Sequence, residues 1–320
     1  MKEILIALLL LVAGFVLLIK GADFFVDGSS SVAKRLKVPS MIIGLTIVAM
    51  GTSLPECAVS VTASLSNNNA LAVSNVVGSN IFNLMVVCGV CTLFVPLAVS
   101  VDTLKKEFPF SIICAVLLVI FGKFGMILGR ADGIIFLVLF AAYLGWMIKS
   151  ALSARNSALS KEAEEADEQI KILPVWQCII YIIGGAVAIK FGGDFVVNGA
   201  STIASSLGFS QNLIGLTIVA LGTSLPELVT SVAAARKGNA GIAIGNIVGS
   251  NIFNILFVIG ITALICNVPF ESKFLIDTVI AIFSGALLWL GTYKHKELRK
   301  PCGIVMLICY AAYFVYLCVL

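Results

Sequence analysis

Two glutamates sit inside twin copies of one motif. Ile43-Gly44-Leu45-Thr46-Ile47-Val48-Ala49-Met50-Gly51-Thr52-Ser53-Leu54-Pro55-Glu56 returns 171 residues later as Ile214-Gly215-Leu216-Thr217-Ile218-Val219-Ala220-Leu221-Gly222-Thr223-Ser224-Leu225-Pro226-Glu227, with thirteen of fourteen positions identical. A second pair follows at the same offset, Val77-Gly78-Ser79-Asn80-Ile81-Phe82-Asn83 and Val248-Gly249-Ser250-Asn251-Ile252-Phe253-Asn254. On a helix Thr52 and Glu56 share a face with Ser53 beside them, and Ser79 lies over Asn83. Pro55 cannot donate to the Gly51 carbonyl and kinks its helix, so backbone oxygen is freed there as well. The second half supplies Thr223, Ser224, Glu227, Ser250 and Asn254, with the carbonyl region of Ala220 to Gly222. Together these are two carboxylates, two amides, hydroxyls and carbonyls, all hard oxygen donors. Neither motif holds His or Cys, which argues against zinc or copper. Ca2+ takes about six to eight oxygens, and two glutamates match its charge. Na+ also accepts hydroxyls and carbonyls. Two carboxylates held together in low dielectric repel each other, and a bound cation relieves that repulsion. Such a site crosses a membrane loaded with one cation or another, which is a physical basis for exchange.

The elements that position these groups are membrane helices. The chain has 320 residues, of which 60% are hydrophobic and 12% charged, and its mean hydropathy is +1.09. A soluble domain has about a quarter of its residues charged. Ten apolar runs, at roughly 3–33, 40–66, 70–97, 106–125, 130–150, 174–206, 211–236, 240–266, 273–291 and 301–320, each suffice for a crossing of about 20 residues. No small-residue cleavage site follows the first, so it is expected to remain. Polar groups at such depth default to function. A lone Pro-kinked helix with one Glu is often only a kink or a proton relay; twin motifs, each backed by a second polar helix, are not explained that way.

Charge sets the orientation. With the N-terminus outside, the inner loops hold Lys34, Arg35, Lys37, Lys105, Lys106, Lys149, Arg155, Lys161, Lys171, Arg236, Lys237, Lys294, Lys296, Arg299 and Lys300, fifteen of the twenty-one Lys and Arg residues. Lys2, Lys123, Arg130 and Lys273 fall outside. This bias places both termini out and the 151–173 linker in the cytoplasm. The linker separates a first repeat, 1–150, from a second, 174–320; its acidic stretch from Lys161 to Glu168 lacks a Ca2+-loop pattern and reads as a solvated connector. Five crossings per unit is odd, so the second unit must be inverted. The expected fold is an all-α integral membrane protein of ten transmembrane helices in two inverted five-helix repeats, with its site near the midplane. Gly14 with Gly185, Asp23-Phe24 with Asp194-Phe195, and Gly89 with Gly260 extend the repeat.

On these motifs the chain resembles the calcium/cation antiporter superfamily, sodium/calcium exchanger type, whose two alpha-repeats are similar to Gly51–Glu56 with Gly78–Asn83 and their copies. The resemblance covers nearly the whole chain. It implies that Glu56 and Glu227 bind Ca2+ together with Thr52 and Thr223. It further implies that Ser53, Ser79, Ser224, Ser250 and the carbonyls of Ala49 and Ala220 complete Na+ positions. It implies that the long first and sixth helices slide across the core during alternating access. Some prokaryotic exchangers of this kind have aspartate where Asn254 stands; here Asn83 and Asn254 match.

The expected activity is secondary antiport of Ca2+ for Na+ across the cytoplasmic membrane, with H+/Ca2+ antiport through the same glutamates as the alternative. No cofactor, nucleic acid or obligatory protein partner is implied beyond the transported ions and the bilayer. An intramembrane hydrolase needs a serine with a base or paired aspartates, and the single histidine, His295, lies among loop lysines. A passive channel suits tightly occupied paired carboxylates poorly. The nine cysteines have no zinc or disulfide spacing and read as buried hydrophobes. Asp23, Asp27 and Asp194 either line an ion vestibule or mark polar helix ends.

Overall fold

The computed structural model describes residues 2–66, 70–156, 172–208 and 220–319. Residues 157–171, which hold most of the linker, and 209–219, which hold Ile214 to Val219 of the second motif, lie outside them. The apolar runs fold as helices because only a helix satisfies every backbone group within one segment in hydrocarbon. In chain order the helices are α1 (Lys2–Leu36), α2 (Ser40–Ile43), α3 (Ala49–Thr52), α4 (Leu54–Leu65), α5 (Ala70–Phe82), α6 (Cys88–Phe94), α7 (Phe108–Lys123) and α8 (Arg130–Asn156). They continue with α9 (Val175–Ser206), α10 (Ala220–Gly222), α11 (Leu225–Arg236), α12 (Ala240–Phe253), α13 (Gly260–Ile265), α14 (Ser272–Tyr293) and α15 (Lys300–Val319). Among the described residues seven helices are long and apolar enough to cross a membrane. The run Ser40–Thr52 and α4, bent by 44°, makes eight if it is one span. α8 runs six residues into the expected linker; Ala151, Leu152 and Ala154 favour helix, and no proline intervenes before Pro174.

The helices sort into a core and a shell. In an 18-residue apolar stretch of each, Ala70–Phe94 and Ala240–Ile265 have 78% and 83% of residues buried, against 22% for the first helix and 28% for Val175–Ser206. The motifs of Ser79 to Asn83 and Ser250 to Asn254 ride on these core runs. α1 and α9 turn Leu5, Leu9, Val12, Ile179, Ile183 and Val187 outward, as lipid-facing surfaces must. At 35 and 32 residues they exceed the roughly 20 needed for a perpendicular crossing.

α1 and α9 lie against each other antiparallel along a glycine seam. Glycines recur every seven residues, at 14, 21 and 28 and at 185, 192 and 199, a period that keeps one face toward a partner helix. A Cβ on Gly192 would lie 2.7 Å from the Leu18 nitrogen, and one on Gly14 2.8 Å from the Gly192 carbonyl. One on Gly199 would meet the Ala7 carbonyl at 2.7 Å, and one on Gly21 the Ile189 nitrogen at 2.9 Å. The last turns of α1 and the entry to α9 are tied too: Leu173 donates its N–H to Ser31 Oγ at 2.8 Å, and Arg35 Nε donates to the Leu173 carbonyl at 2.6 Å.

Two short ribbons, not expected from the sequence, join one half to the other. β1 (Leu97–Ala98) pairs antiparallel with β4 (Glu297–Leu298), and β2 (Ile127–Leu128) with β3 (Val268–Pro269). β1 and β3 occupy matching places in the two repeats, as do β2 and β4, so the pairings are reciprocal.

Candidate functional site

Both glutamates stand at helix starts. The helix carrying the first motif breaks at Ser53, where φ is −87° and ψ 8°, and begins again at Leu54; the second breaks at Ser224, with φ −91° and ψ 2°, and begins again at Leu225. Pro55 and Pro226 occupy the first turn of the new helices, where the missing N–H costs nothing. Glu56 and Glu227 follow in that same turn. The unpaired N–H groups of a helix start favour negative charge, which offsets part of the cost of two fully buried carboxylates.

Each carboxylate is held by a serine of the other half. Ser53 Oγ donates to Glu227 Oε1 at 2.7 Å, and Ser224 Oγ donates to Glu56 Oε1 at 3.3 Å. Ser250 Oγ reaches Glu227 Oε1 and the Ala49 carbonyl, both at 3.5 Å. Close approach of α12 makes this possible: a Cβ on Gly249 would lie 2.6 Å from the Leu45 carbonyl, and one on Gly245 2.6 Å from that of Met41. Gly78, the counterpart of Gly249, has no described atom within 4 Å of where its Cβ would be.

The amide groups are also exchanged across the halves. Asn83 Nδ2 donates to Asn251 Oδ1 at 3.3 Å, and Asn254 Nδ2 donates to Asn80 Oδ1 at 3.1 Å. Asn80 and Asn251 each donate to the other's backbone carbonyl, at 3.2 and 3.3 Å. Asn83 and Asn254 each open a π-helical turn, Asn83–Val87 and Asn254–Ile259. Such turns occur often at functional sites. The bond from Asn254 Nδ2 needs a donor, which an ionised aspartate at that position lacks.

The oxygens left over define the site's chemistry. Ten buried side-chain polar atoms among the described residues have no hydrogen-bond partner, and five belong to the twin motifs: Glu56 Oε2, Glu227 Oε2, Ser79 Oγ, Asn83 Oδ1 and Asn254 Oδ1. Buried polar atoms are ordinarily satisfied. Asn83 Oδ1 and Asn254 Oδ1 only accept, and Glu56 Oε2 and Glu227 Oε2 only accept when ionised, so in that state a donor or a cation satisfies all four and a further acceptor does not. Among the described residues no three His, Cys, Asp or Glu side chains gather as a metal-holding group. The charge here rests on two carboxylates, with neutral oxygens around them.

The expected residues are thus largely brought together. Glu56, Ser53, Thr52, Ser224, Glu227, Ser250, Asn83 and Asn254 are buried, as is Ser79, whose hydroxyl has no partner among the described residues. Thr223 is half-buried and donates to Asn75 Oδ1 at 3.5 Å. Ala49 contributes its carbonyl, and Ala220 heads α10 at the edge of the segment outside the described residues. Asn75 and Asn246 were missed: Thr52 Oγ1 donates to Asn246 Oδ1 at 2.9 Å. Both lie just before the repeated heptapeptide and repeat at the same offset, a signal the sequence does carry. Asp23 and Asp27 pair with Lys237 at 3.3 and 2.7 Å, and Asp194 pairs with Lys190 at 2.6 Å, so these acids have cationic partners. The described cysteines are free.

Comparison with known proteins agrees with this chemistry. A family model described as sodium/calcium exchanger protein matches residues 6–149 and 178–319. The CaxA protein of Alkalimonas amylolytica is 43% identical over 314 residues, covering 97% of this chain and 98% of its own. The sodium/calcium exchanger MaX1 of Methanosarcina acetivorans is 32% identical over 343 aligned residues, covering 97% of each. A solved structure of the sodium-calcium exchanger NCX_Mj superposes with a TM-score of 0.84 at 30% identity, covering 98% of this chain and 99% of that one.

Proposed function

The chain belongs to the sodium/calcium exchanger protein family, and on that premise we propose that it exchanges Ca2+ for Na+ across the cytoplasmic membrane by alternating access. It is a multi-pass membrane transport protein of the antiporter class. The finer reading rests on one observation above all: Glu56 Oε2, Glu227 Oε2, Asn83 Oδ1 and Asn254 Oδ1 are buried acceptors without partners. Together with Thr52, Thr223, Ser53, Ser224, Ser79, Ser250 and the carbonyls of Ala49 and Ala220, they make an oxygen set suited to Ca2+ or Na+. The two carboxylate charges balance Ca2+, or Na+ in greater number. Neither ion is a resident cofactor; both are cargo.

The direct test is 45Ca2+ uptake into proteoliposomes with pH clamped on both sides. An outward Na+ gradient should drive uptake, and collapsing it should stop uptake. Uptake that ignores Na+ and follows an imposed pH gradient would assign the site to H+/Ca2+ antiport instead. Flux independent of any counter-ion would mean a channel.

The architecture we propose is ten helices in two inverted repeats of five, 1–150 and 174–320, joined by a cytoplasmic linker, with both termini outside. The reciprocal serine–glutamate bonds, the reciprocal ribbons and the antiparallel α1–α9 seam support it, since a two-fold axis in the membrane plane relates each pair. Single cysteines at Asn69 and Ser160, both outside the described residues, in a cysteine-free background should label with a membrane-impermeant maleimide from opposite faces. Labelling of both from one face would overturn the inverted arrangement.

A further inference from the structure

We propose that Asn246 is a positioning residue for transport, with Asn75 as its counterpart: it accepts the hydrogen bond of the Thr52 hydroxyl and so keeps that bond off the Val48 and Ala49 carbonyls, leaving them to a cation. The inference rests on the exchange reading above. It begins from the orientation that the surrounding groups give the Asn246 amide. Asn246 is fully buried on α12. One end of its amide faces the Glu227 carbonyl at 3.4 Å and Ser231 Oγ at 2.9 Å. A backbone carbonyl only accepts, so that end is Nδ2. The other end is therefore Oδ1, and it lies 2.9 Å from Thr52 Oγ1. An amide oxygen also only accepts, so the threonine must donate.

A hydroxyl has one proton to give. Thr52 Oγ1 lies 3.2 Å from the Val48 carbonyl and 3.3 Å from the Ala49 carbonyl, the back-bonds a helical threonine ordinarily makes. With its proton committed to Asn246, neither carbonyl receives that bond. Beyond the Ser53 N–H at 3.1 Å and the 3.5 Å approach of Ser250 Oγ to the Ala49 carbonyl, their remaining lone pairs, and those of Thr52 Oγ1 itself, are then available as ligands. Asn246 meanwhile grips the backbone of the very residue, Glu227, that carries the second charge. It thus ties the first half's threonine to the second half's glutamate.

The same wiring is present in the other half. Asn75 Nδ2 donates to the Glu56 carbonyl at 3.2 Å and to Ser60 Oγ at 3.0 Å, and its Oδ1 accepts from Thr223 at 3.5 Å. Asn75 and Asn246, Ser60 and Ser231, Glu56 and Glu227, and Thr52 and Thr223 all stand 171 residues apart. Asn75 is only half-buried and its threonine contact is longer, so the Asn246 arm is the tighter of the two.

The role separates from plain helix joining in two ways. Removing Asn246 lets the Thr52 proton fall back onto the carbonyls. Na+, which depends on such neutral oxygens, loses more than Ca2+, whose double charge keeps the full attraction of both carboxylates. The effect must also vanish when Thr52 has no hydroxyl. The experiment is Na+-driven 45Ca2+ uptake in proteoliposomes for wild type, Asn246→Leu, Thr52→Val and the double variant, with half-saturation measured for each ion. Asn246→Leu should raise the Na+ half-saturation about tenfold, the equivalent of one good ligand contact, and that for Ca2+ by less than about threefold. In the Thr52→Val background it should add less than about twofold. Equal shifts for both ions, or the same penalty in both backgrounds, would overturn the proposal and leave Asn246 a helix-joining residue. Should Asn246→Leu not fold, Asn75→Leu with Thr223→Val runs the same cycle at a half-buried position, with a smaller Na+ shift that Thr223→Val must cancel. A wild-type protein without Na+-driven uptake would instead fail the exchange reading itself.

Discussion

Glu56→Gln and Glu227→Gln are each expected to reduce Na+-driven Ca2+ uptake to near background while the protein stays folded. Glutamine keeps the size of glutamate and an oxygen that can accept from Ser224 or Ser53, so the bonds at 3.3 and 2.7 Å can persist. What is lost is one of two charges opposite a divalent ion. At about 4 Å and an effective dielectric constant near 20, one unit-charge pair is worth about 4 kcal/mol, and each 1.4 kcal/mol is a factor of ten. Apparent Ca2+ affinity should therefore fall roughly a thousandfold or more. Melting temperature in detergent should hold or rise, because a buried carboxylate has been neutralised. Uptake within a few-fold of wild type in either variant would remove both glutamates from the ion path.

Gly185→Ala is expected to cripple the protein, whereas Gly184→Ala next to it should be silent or slightly stabilising. In a helix interior alanine is better than glycine by about 1 kcal/mol, so propensity alone favours both changes. Packing reverses the sign at one of them. A Cβ on Gly185 would lie 2.8 Å from the Gly21 carbonyl and 2.8 Å from the Phe25 nitrogen, whereas no atom of the described residues lies within 4 Å of a Cβ on Gly184. Backbone cannot rotate away as a side chain can, so α1 and α9 must separate along their seam. Overpacking of this kind costs about 1–3 kcal/mol. Thermal stability of the purified protein and uptake in proteoliposomes should both drop for Gly185→Ala and neither for Gly184→Ala. Equal behaviour of the two would mean that the seam is looser than the distances say.

Much of the site is legible in the sequence because membrane helices leave few places for polar residues. Glu56, Thr52, Ser53 and their copies announce themselves by type, and the 171-residue offset pairs them. The break at Ser53 and Ser224 follows from the prolines two positions on. Other features are marked only by the offset, or have no local signature. Asn75 and Asn246 sit outside the repeated heptapeptide, amid Val, Ala and Gly, and only their contacts with Thr223 and Thr52 give them a task. The π-helical turns that begin at Asn83 and Asn254 follow ordinary α-helical sequence. The two-residue ribbons are too short for any alternation to be seen. Ser79 and Ser250 occupy equivalent positions, yet Ser250 contacts the Ala49 carbonyl and Glu227, while Ser79 has no partner among the described residues. Local sequence cannot express that inequality; it arises from how neighbouring helices stand.

The cross-bonding of serine to glutamate also constrains how such a chain can drift. Ser53 serves Glu227 and Ser224 serves Glu56, so a substitution in one copy of the motif is felt by the carboxylate of the other copy. Neither copy is a spare that can vary while its twin preserves function. Two duplicated segments in this relation must remain alike, as these do at thirteen of fourteen positions. The outer helices show the complement. α1 and α9 have diverged through most of their length, with Lys20 opposite Phe191 and Phe25 opposite Val196 in the repeat. Gly14, Gly21 and Gly28 nevertheless still match Gly185, Gly192 and Gly199, the places where each helix rests on the other's backbone. The ancestry of this protein as a doubled unit survives best at the atoms that the two halves share.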